Sequence, residues 1–125
     1  MFNDFIEVMY FVPDRRAATE WYARLFDVGI FQEGDVPEHY YLQVGPVQVW
    51  FSAADEKVGA GTAGHIAYWR VDDFDAARLR AESLGGVVYR GPLYRSEDGL
   101  TMCQIRDPFG NLIGFVGPSV SRDRT

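Results

Sequence analysis

Five side chains in this sequence could together recognise a small molecule: Glu7, Trp50, Tyr68, Arg70 and Gln104. An indole is a flat surface that stacks on planar or apolar ligands, although Trp50 could equally fill a hydrophobic core. An arginine fork binds carboxylate, phosphate or enolate oxygens, and a tyrosine hydroxyl can hydrogen-bond or donate a proton. If these groups share one surface, they favour recognition of a polar aromatic compound without a metal.

Nucleophilic and nucleotide chemistry are not indicated. His39 lies in a loop, Cys103 is expected to be buried on a helix-facing side, and Ser52 has no histidine at a suitable spacing. No catalytic triad can therefore be assembled. No glycine-rich phosphate loop joins a strand to a helix, and acidic residues stand at both predicted helix starts.

The elements that would position these side chains follow one plan twice, a strand, a helix and three more strands. In the first half we expect strands at residues 5–12, 28–31, 40–44 and 47–52, with a helix at 15–26. In the second half we expect strands at 65–71, 87–90, 100–106 and 111–116, with a helix that Asp72-Asp73 opens and that ends near Leu84. The chain is then one domain, with module one at about 5–52, a linker at about 53–64, module two at about 65–116 and a polar tail at 117–125.

Strand alternation divides the side chains between a helix-facing side and an open side. The helix-facing residues are apolar: Val8, Tyr10, Val12, Leu42, Val44, Val47, Val49, Phe51, Cys103, Ile105, Ile113 and Phe115. The open side receives Glu7, Met9, Phe11, Tyr41, Gln43, Gln48, Trp50 and Ser52, and in the second half Met102, Gln104, Arg106, Leu112, Gly114 and Val116. A mixture of aromatic, amide and charged groups is typical of a surface that lines a ligand.

A hairpin can be read from Arg106-Asp107-Pro108-Phe109-Gly110-Asn111. Asp107 suits the first position of a type I turn, and Pro108 fixes φ at the second. Gly110 can take the positive φ that a bulged hairpin needs.

The net charge of −6 and the lack of a basic run argue against nucleic acid or an anionic membrane as the main partner. No apolar run is long enough to span a membrane, and the first residues do not look like a secretory signal. One cysteine permits no internal disulfide, which fits a reducing cytoplasm. A small molecule or another protein is the expected partner.

Three features together resemble the vicinal oxygen chelate superfamily, the group of glyoxalase I, the bleomycin resistance proteins, the fosfomycin-resistance enzymes and the extradiol dioxygenases. They are the two β-α-β-β-β modules, the Gly64-His65-Ile66-Ala67 and Val71-Asp72-Asp73 stretches, and the hairpin. The resemblance implies an α+β fold, in which the modules form an open half-barrel cup, the glyoxalase/bleomycin resistance fold. It also implies a homodimer.

Metal enzymes of that superfamily hold an ion with inward residues on the first and last strand of each module, usually His, Glu or Gln. The resemblance implies that Glu7 and His65 occupy two of these positions as possible metal ligands. Glu7 is also the candidate catalytic base, although it could be an ordinary polar residue near a strand start. Trp50 and Gly114 occupy the other two positions and offer no ligand, so at most two of the four remain.

The direction of His65 depends on the strand register, which the sequence leaves open. If Val71 packs under its helix as Val12 does, Tyr68 and Arg70 face the cup and His65 does not. His65 reaches the cup only if a bulge intervenes. Arg70 and Arg106 have a second possible role, pairing with the carboxylates of Asp72, Asp73 or Asp107.

We expect the protein to bind a small polar-aromatic molecule, an antibiotic or a metabolite, without a complete metal site. The expected ligand-binding residues are Glu7, Met9, Phe11, Trp50, Tyr68, Arg70 and Gln104. No cofactor is certain, and a divalent metal is possible. The alternative is a metal-dependent lyase, isomerase or dioxygenase that acts on vicinal oxygens through Glu7 and His65. A third class, a subunit or regulatory domain without its own ligand, predicts a cup closed by its own side chains.

Overall fold

The computed structural model describes residues 1–120, so residues 121–125 of the predicted polar tail lie outside the described part. The chain forms two compact units, Met1–Ala60 (unit 1) and a second that begins at Gly61 (unit 2). Each unit has the order strand, helix and three strands, which confirms the predicted α+β class and module plan. No helix in the described residues is long and apolar enough to cross a membrane.

Unit 1 contains one helix and one four-stranded sheet. Its elements are β1 (Glu7–Val12), α1 (Arg15–Phe26), β2 (Phe31–Gln32), β3 (Tyr40–Val44) and β4 (Val47–Ala53). The strand order is β1-β4-β3-β2, with β1 and β4 parallel and the other neighbours antiparallel. The helix begins where the Asp14 side chain accepts a hydrogen bond from the Ala17 amide at 3.1 Å.

Unit 2 repeats this arrangement. Its elements are β5 (Tyr68–Arg70), α2 (Phe74–Ser83), β6 (Val87–Arg95), β7 (Leu100–Arg106) and β8 (Leu112–Gly117). The strand order is β5-β8-β7-β6, again with the first pair parallel. Asp73 caps α2 through the Ala76 amide as Asp14 caps α1.

The burial pattern agrees with most of the predicted helix-facing residues of both sheets. In unit 1, Tyr22 of α1 is fully buried and its ring lies 5.2 Å from that of Tyr10 and 5.1 Å from that of Phe51. In unit 2 the buried helix-facing strand residues include Cys103, Ile105, Ile113 and Phe115. Leu112 and Gly114, predicted on the open side, are buried as well. The remaining alternate neighbours form a second, open face on each sheet.

Three predicted strands differ from the structure by three residues or more at one end. The strand predicted at 28–31 is Phe31–Gln32, because Asp27 takes a left-handed conformation and the Val28 amide caps α1 through the Ala23 carbonyl at 3.1 Å. The strand predicted at 65–71 is only Tyr68–Arg70, so His65 lies before it. The strand predicted at 87–90 continues to Arg95 through two register shifts.

The hairpin between β7 and β8 has the predicted turn. Gly110 has a φ of 97°, and its amide donates to the Asp107 carbonyl at 3.3 Å. The buried Asp107 carboxylate accepts hydrogen bonds from the amides of Phe109 at 2.8 Å and Asn111 at 2.9 Å. The carboxylate thus satisfies backbone donors that have little access to water.

We expect Asp107→Ala to lower the free energy of unfolding by about 2 to 3 kcal/mol, because it leaves buried amides without a partner. Asp55 is a matched control, since it also accepts from two backbone amides, those of Lys57 and Val58, but is exposed. Asp55→Ala should lower the free energy of unfolding much less. Chemical denaturation measures both losses, and equal losses would contradict the role of burial.

Candidate functional site

The open face of unit 1 carries a row of four large side chains, one from each strand. The register places Trp50 of β4 between Met9 of β1 and Tyr41 of β3. Tyr41 lies beside Phe31 of β2. The ring centroids are 4.9 Å apart for Tyr41 and Trp50, and 5.7 Å apart for Phe31 and Tyr41, with both pairs stacked. We call these four residues the stacking row.

Amide side chains fix the orientation of the indole in this row. The Trp50 ring nitrogen donates to Gln48 Oε1 at 3.1 Å. Gln48 lies opposite Glu7 on one side and Gln43 on the other, and Gln43 donates to the Gly45 carbonyl at 2.9 Å. The stacking row therefore has a polar margin along one edge, which gives an aromatic ligand hydrogen-bonding partners.

A cavity of about 330 Å³ adjoins the stacking row. It is lined by Glu7, Met9, Arg15, Glu33, Glu38, His39, Tyr40, Trp50, Phe51 and Ser52. A second cavity of about 350 Å³ at the start of α1 shares Arg15, Glu38, Tyr40 and Phe51 with the first. Glu38 lies 3.4 Å from the Arg15 guanidinium and connects the 33–39 loop to α1. The cavities are of a size that accepts a small organic molecule.

The structure brings the predicted site residues of unit 1 to one face. Glu7 and Met9 are exposed on β1, and Phe11 is half-buried two residues further along. Glu7, Met9 and Trp50 line the same cavity. The assignment of Glu7 as a base stays a prediction.

On the open face of unit 2, Tyr68 and Gln104 meet across a glycine. Tyr68 and Gln104 both lie beside Gly114 in the register, on strands β5 and β7. Gln104 Nε2 donates to the Tyr68 hydroxyl oxygen at 2.8 Å. A Cβ on Gly114 would lie 2.3 Å from Tyr68 Cδ1, so the tyrosine ring occupies the space above the glycine. The missing side chain at Gly114 is what allows this contact.

Arg70 and Arg106 lie on this face without carboxylate partners in residues 1–120. Neither arginine forms an ion pair with Asp72, Asp73 or Asp107 in these residues, and the last two carboxylates instead cap α2 and the hairpin turn. Arg106 instead lies over the Tyr89 ring, with its guanidinium carbon 4.9 Å from the ring centroid. Both guanidinium groups are exposed and can bind an anion.

Cys103 is buried, and burial raises its thiol pKa from the ordinary 9.0 to about 11. We expect no reaction with a disulfide reagent at pH 8 until the protein unfolds. We also expect the free energy of unfolding to fall as the pH rises from about 9 to about 11, because the unfolded thiol loses its proton first. Denaturation curves across this range, compared with those of Cys103→Ala, isolate the contribution of Cys103. Rapid labelling of the folded protein would contradict this prediction.

The family model described as the Glyoxalase/Bleomycin resistance protein/Dioxygenase superfamily matches residues 5–115. The chain belongs to this superfamily. The match spans both β-α-β-β-β units, and it confirms the predicted family. No curated protein sequence matches the chain.

Solved structures of glyoxalase/bleomycin resistance proteins share the fold. One is a family enzyme from Burkholderia phytofirmans PsJN, with a TM-score of 0.77, 18% identity, and coverage of 92% of this chain and 98% of that one. TnmS3, an antibiotic binding protein from Streptomyces sp. CB03234, has a TM-score of 0.69 and 22% identity, covering 94% and 98%. TioX from Micromonospora sp. ML1 has a TM-score of 0.66 and 21% identity, covering 92% and 98%.

The glyoxalase/bleomycin resistance superfamily includes metal enzymes, but the donors in this member do not fit a complete metal site. Tyr68 lies beside Gly114 as Met9 lies beside Trp50, so Tyr68 is the equivalent of Met9. Glu7 is two residues before Met9, and Ile66 is two residues before Tyr68. The equivalent of Glu7 is therefore Ile66, and His65 is one residue away from that position. A carboxylate at Gly114 would collide with the Tyr68 ring. In residues 1–120 no three His, Cys, Asp or Glu side chains form a group that could hold an ion.

Sequence reasoning missed two residues of these faces. The strand predicted at 28–31 assigns Phe31 to neither side of the sheet, whereas Asp27 and Val28 extend the helix cap and β2 begins at Phe31. The strand predicted at 87–90 ends at Arg90, whereas the extra residue between Val88 and Arg90 sets the face on which Arg90 lies. The residue type of Asp27 is a weak signal for the first, because aspartate tolerates the left-handed conformation better than most residues.

Proposed function

We propose that this protein binds a small, planar, polar-aromatic molecule, an antibiotic or a metabolite, on the open face of unit 1. The observation that carries the proposal is the stacking row. Its two ends, Phe31 and Met9, are about half exposed, at 50% and 48%. A ligand ring laid against the row would remove apolar surface from water and contact the exposed edges of the stacked rings in an edge-to-face arrangement.

The charges around the cavity indicate which aromatic ligands should be preferred. Glu7, Glu33 and Glu38 line it together with one arginine, Arg15. Residues 1–60 contain ten acidic and four basic residues, whereas residues 61–125 contain eight of each. The net charge of −6 therefore lies in unit 1, which favours neutral or cationic ligands there over anionic ones.

The comparisons support a binding role without naming a ligand. TnmS3, whose fold this chain shares, is an antibiotic binding protein. The predicted site residues of unit 2, Tyr68, Arg70 and Gln104, lie on that unit's own open face, where their hydroxyl, guanidinium and amide groups suit a polar ligand. We also propose a homodimer in the cytoplasm, as the family resemblance and the single cysteine suggest. Light scattering that gives the mass of one chain would contradict the dimer.

A panel of cationic, neutral and anionic aromatic compounds, including aromatic and peptide antibiotics, tests this function by thermal shift and tryptophan fluorescence. We expect at least one cationic or neutral compound to raise the unfolding midpoint and quench the tryptophan fluorescence, because ligands that bind only the folded state stabilise it. The absence of both effects across the panel would contradict the proposed function.

A further inference from the structure

A four-residue row crosses the open face of unit 2 at the position that the stacking row has in unit 1. Reading across the strands, it contains Tyr68, Gly114, Gln104 and Arg90. The corresponding row of unit 1 contains Met9, Trp50, Tyr41 and Phe31. The same place in the fold is apolar and aromatic in one unit, and polar and cationic in the other.

The hydroxyl of Tyr68 is oriented to donate a hydrogen bond to a ligand. Its oxygen accepts from Gln104 Nε2 at 2.8 Å, so its own proton points to a different acceptor. The ring lies over Gly114, which brings the hydroxyl across β8 towards β7. The tyrosine is 40% exposed, so an acceptor in solution can reach it.

A bulge in β6 brings Arg90 to the same place. Val88 lies opposite Ile105 and Arg90 lies opposite Gln104, so Tyr89 is the extra residue. Directly opposed residues share a face, so Arg90 projects beside Gln104, on a strand about 4.8 Å away. Arg106, two residues along β7 from Gln104, lies on the Tyr89 ring, which orients its guanidinium.

Arg90 and Arg106 keep their charge available, and five of the seven acidic residues in 61–120 are engaged elsewhere. Arg90 and Arg106 have no carboxylate within 4.0 Å in residues 61–120. Five acidic side chains hold other groups: Asp73 and Asp107 cap backbone amides, Asp75 accepts from Ser119, Glu82 pairs with Arg78, and Asp98 pairs with Arg95. The face therefore presents hydrogen-bond donors and positive charge without internal neutralisation.

We propose that the open face of unit 2 contains an oxyanion site in which Arg90, Arg106 and the Tyr68 hydroxyl bind a carboxylate or a phosphate ester. Two guanidinium forks and one hydroxyl supply only donors, which matches the acceptor oxygens of either group. Gln104 is a positioning residue, because it holds the hydroxyl. The site stands independently of the aromatic site in unit 1, which favours the opposite ligand charge.

Benzoate, phenyl phosphate and neutral benzamide are the probes that test the site, titrated into the full chain and followed by two-dimensional amide NMR. We expect saturable chemical-shift changes with either anion, and none with benzamide, at the amides of Tyr68, Arg90, Gln104 and Gly114. Added salt should weaken the binding of either anion. The anion that binds more tightly shows whether the site prefers a carboxylate or a phosphate ester. No saturable shift at this row with either anion would overturn the proposal.

Arg90→Gln and Arg106→Gln should each weaken binding of the anion about tenfold, and Tyr68→Phe about threefold. Arg80→Gln is the matched control, because it removes the same charge from α2, on the covered side of the sheet. It should leave the affinity unchanged. Equal weakening by Arg80→Gln and Arg90→Gln would show a general charge effect and overturn the site. Trp50 quenching by aromatic cations is a separate readout, so failure of this site and failure of the proposed function are distinguishable.

Discussion

Trp50→Ala is expected to weaken the best aromatic ligand of the panel about thirtyfold, or about 2 kcal/mol of binding free energy. Trp50 lies at the centre of the stacking row, with Tyr41 stacked on one side and Met9 on the other. Its removal takes away the largest ring and leaves a gap between its neighbours. Calorimetric titration measures the affinity, and a thermal midpoint checks that the variant is folded.

Two further variants separate stacking from a general loss of aromatic surface. Trp50→Phe should recover most of the affinity, because it keeps a ring while losing the hydrogen bond to Gln48. Tyr94→Ala removes an exposed aromatic side chain from unit 2 and should have no effect. Binding of the ligand to Trp50→Ala as tightly as to the natural sequence would contradict the stacking role.

Gly114→Ala is expected to lower the free energy of unfolding by about 2 kcal/mol, because its Cβ would overlap the Tyr68 ring. The cost should nearly vanish in a Tyr68→Ala background, where the space is open. A double-mutant cycle measured by chemical denaturation gives the coupling between the two positions.

Gly29→Ala is the matched control for this cycle, because its Cβ would meet no atom within 4 Å and its φ is not positive. It should be neutral or slightly stabilising. If Gly114→Ala cost the same with and without the Tyr68 ring, the ring would not be what fills the space above the glycine. The reason given for excluding a fourth metal ligand would then be wrong.

Elements with a strong periodic pattern could be predicted from the sequence. The predicted bounds of α1, β3 and β7 match the structure, because each has apolar residues at the helical or strand period between clear turn signals. The predicted helix-facing strand residues are buried or half-buried, since alternation leaves only two choices once the helix side is known, but Leu112, predicted on the open side, is buried as well. Of the two registers that the sequence leaves open, the pairing of Tyr68 with Gly114 fits the one counted from Val71, in which Tyr68 and Arg70 share the open face.

The missed features depend on backbone conformations that residue types do not dictate. Asp27 takes a left-handed conformation that extends the cap of α1, so β2 begins only at Phe31. The sequence pattern therefore does not show on which face of the sheet Phe31 lies. An extra residue in β6 turns Arg90 to the open face, and a pattern of period two cannot reveal it. The contact between Tyr68 and Gln104 joins residues 36 positions apart, so it follows from strand order rather than from local sequence.

Isotope-filtered nuclear Overhauser contacts between the best panel ligand and the labelled protein test most directly whether unit 1 binds a planar aromatic molecule on its open face. Contacts from the ligand ring protons to Trp50, Tyr41 and Phe31 are the expected result, because the three rings form one continuous stacked surface. Contacts that omit all three rings, from a ligand that nonetheless stabilises the protein, would contradict the account.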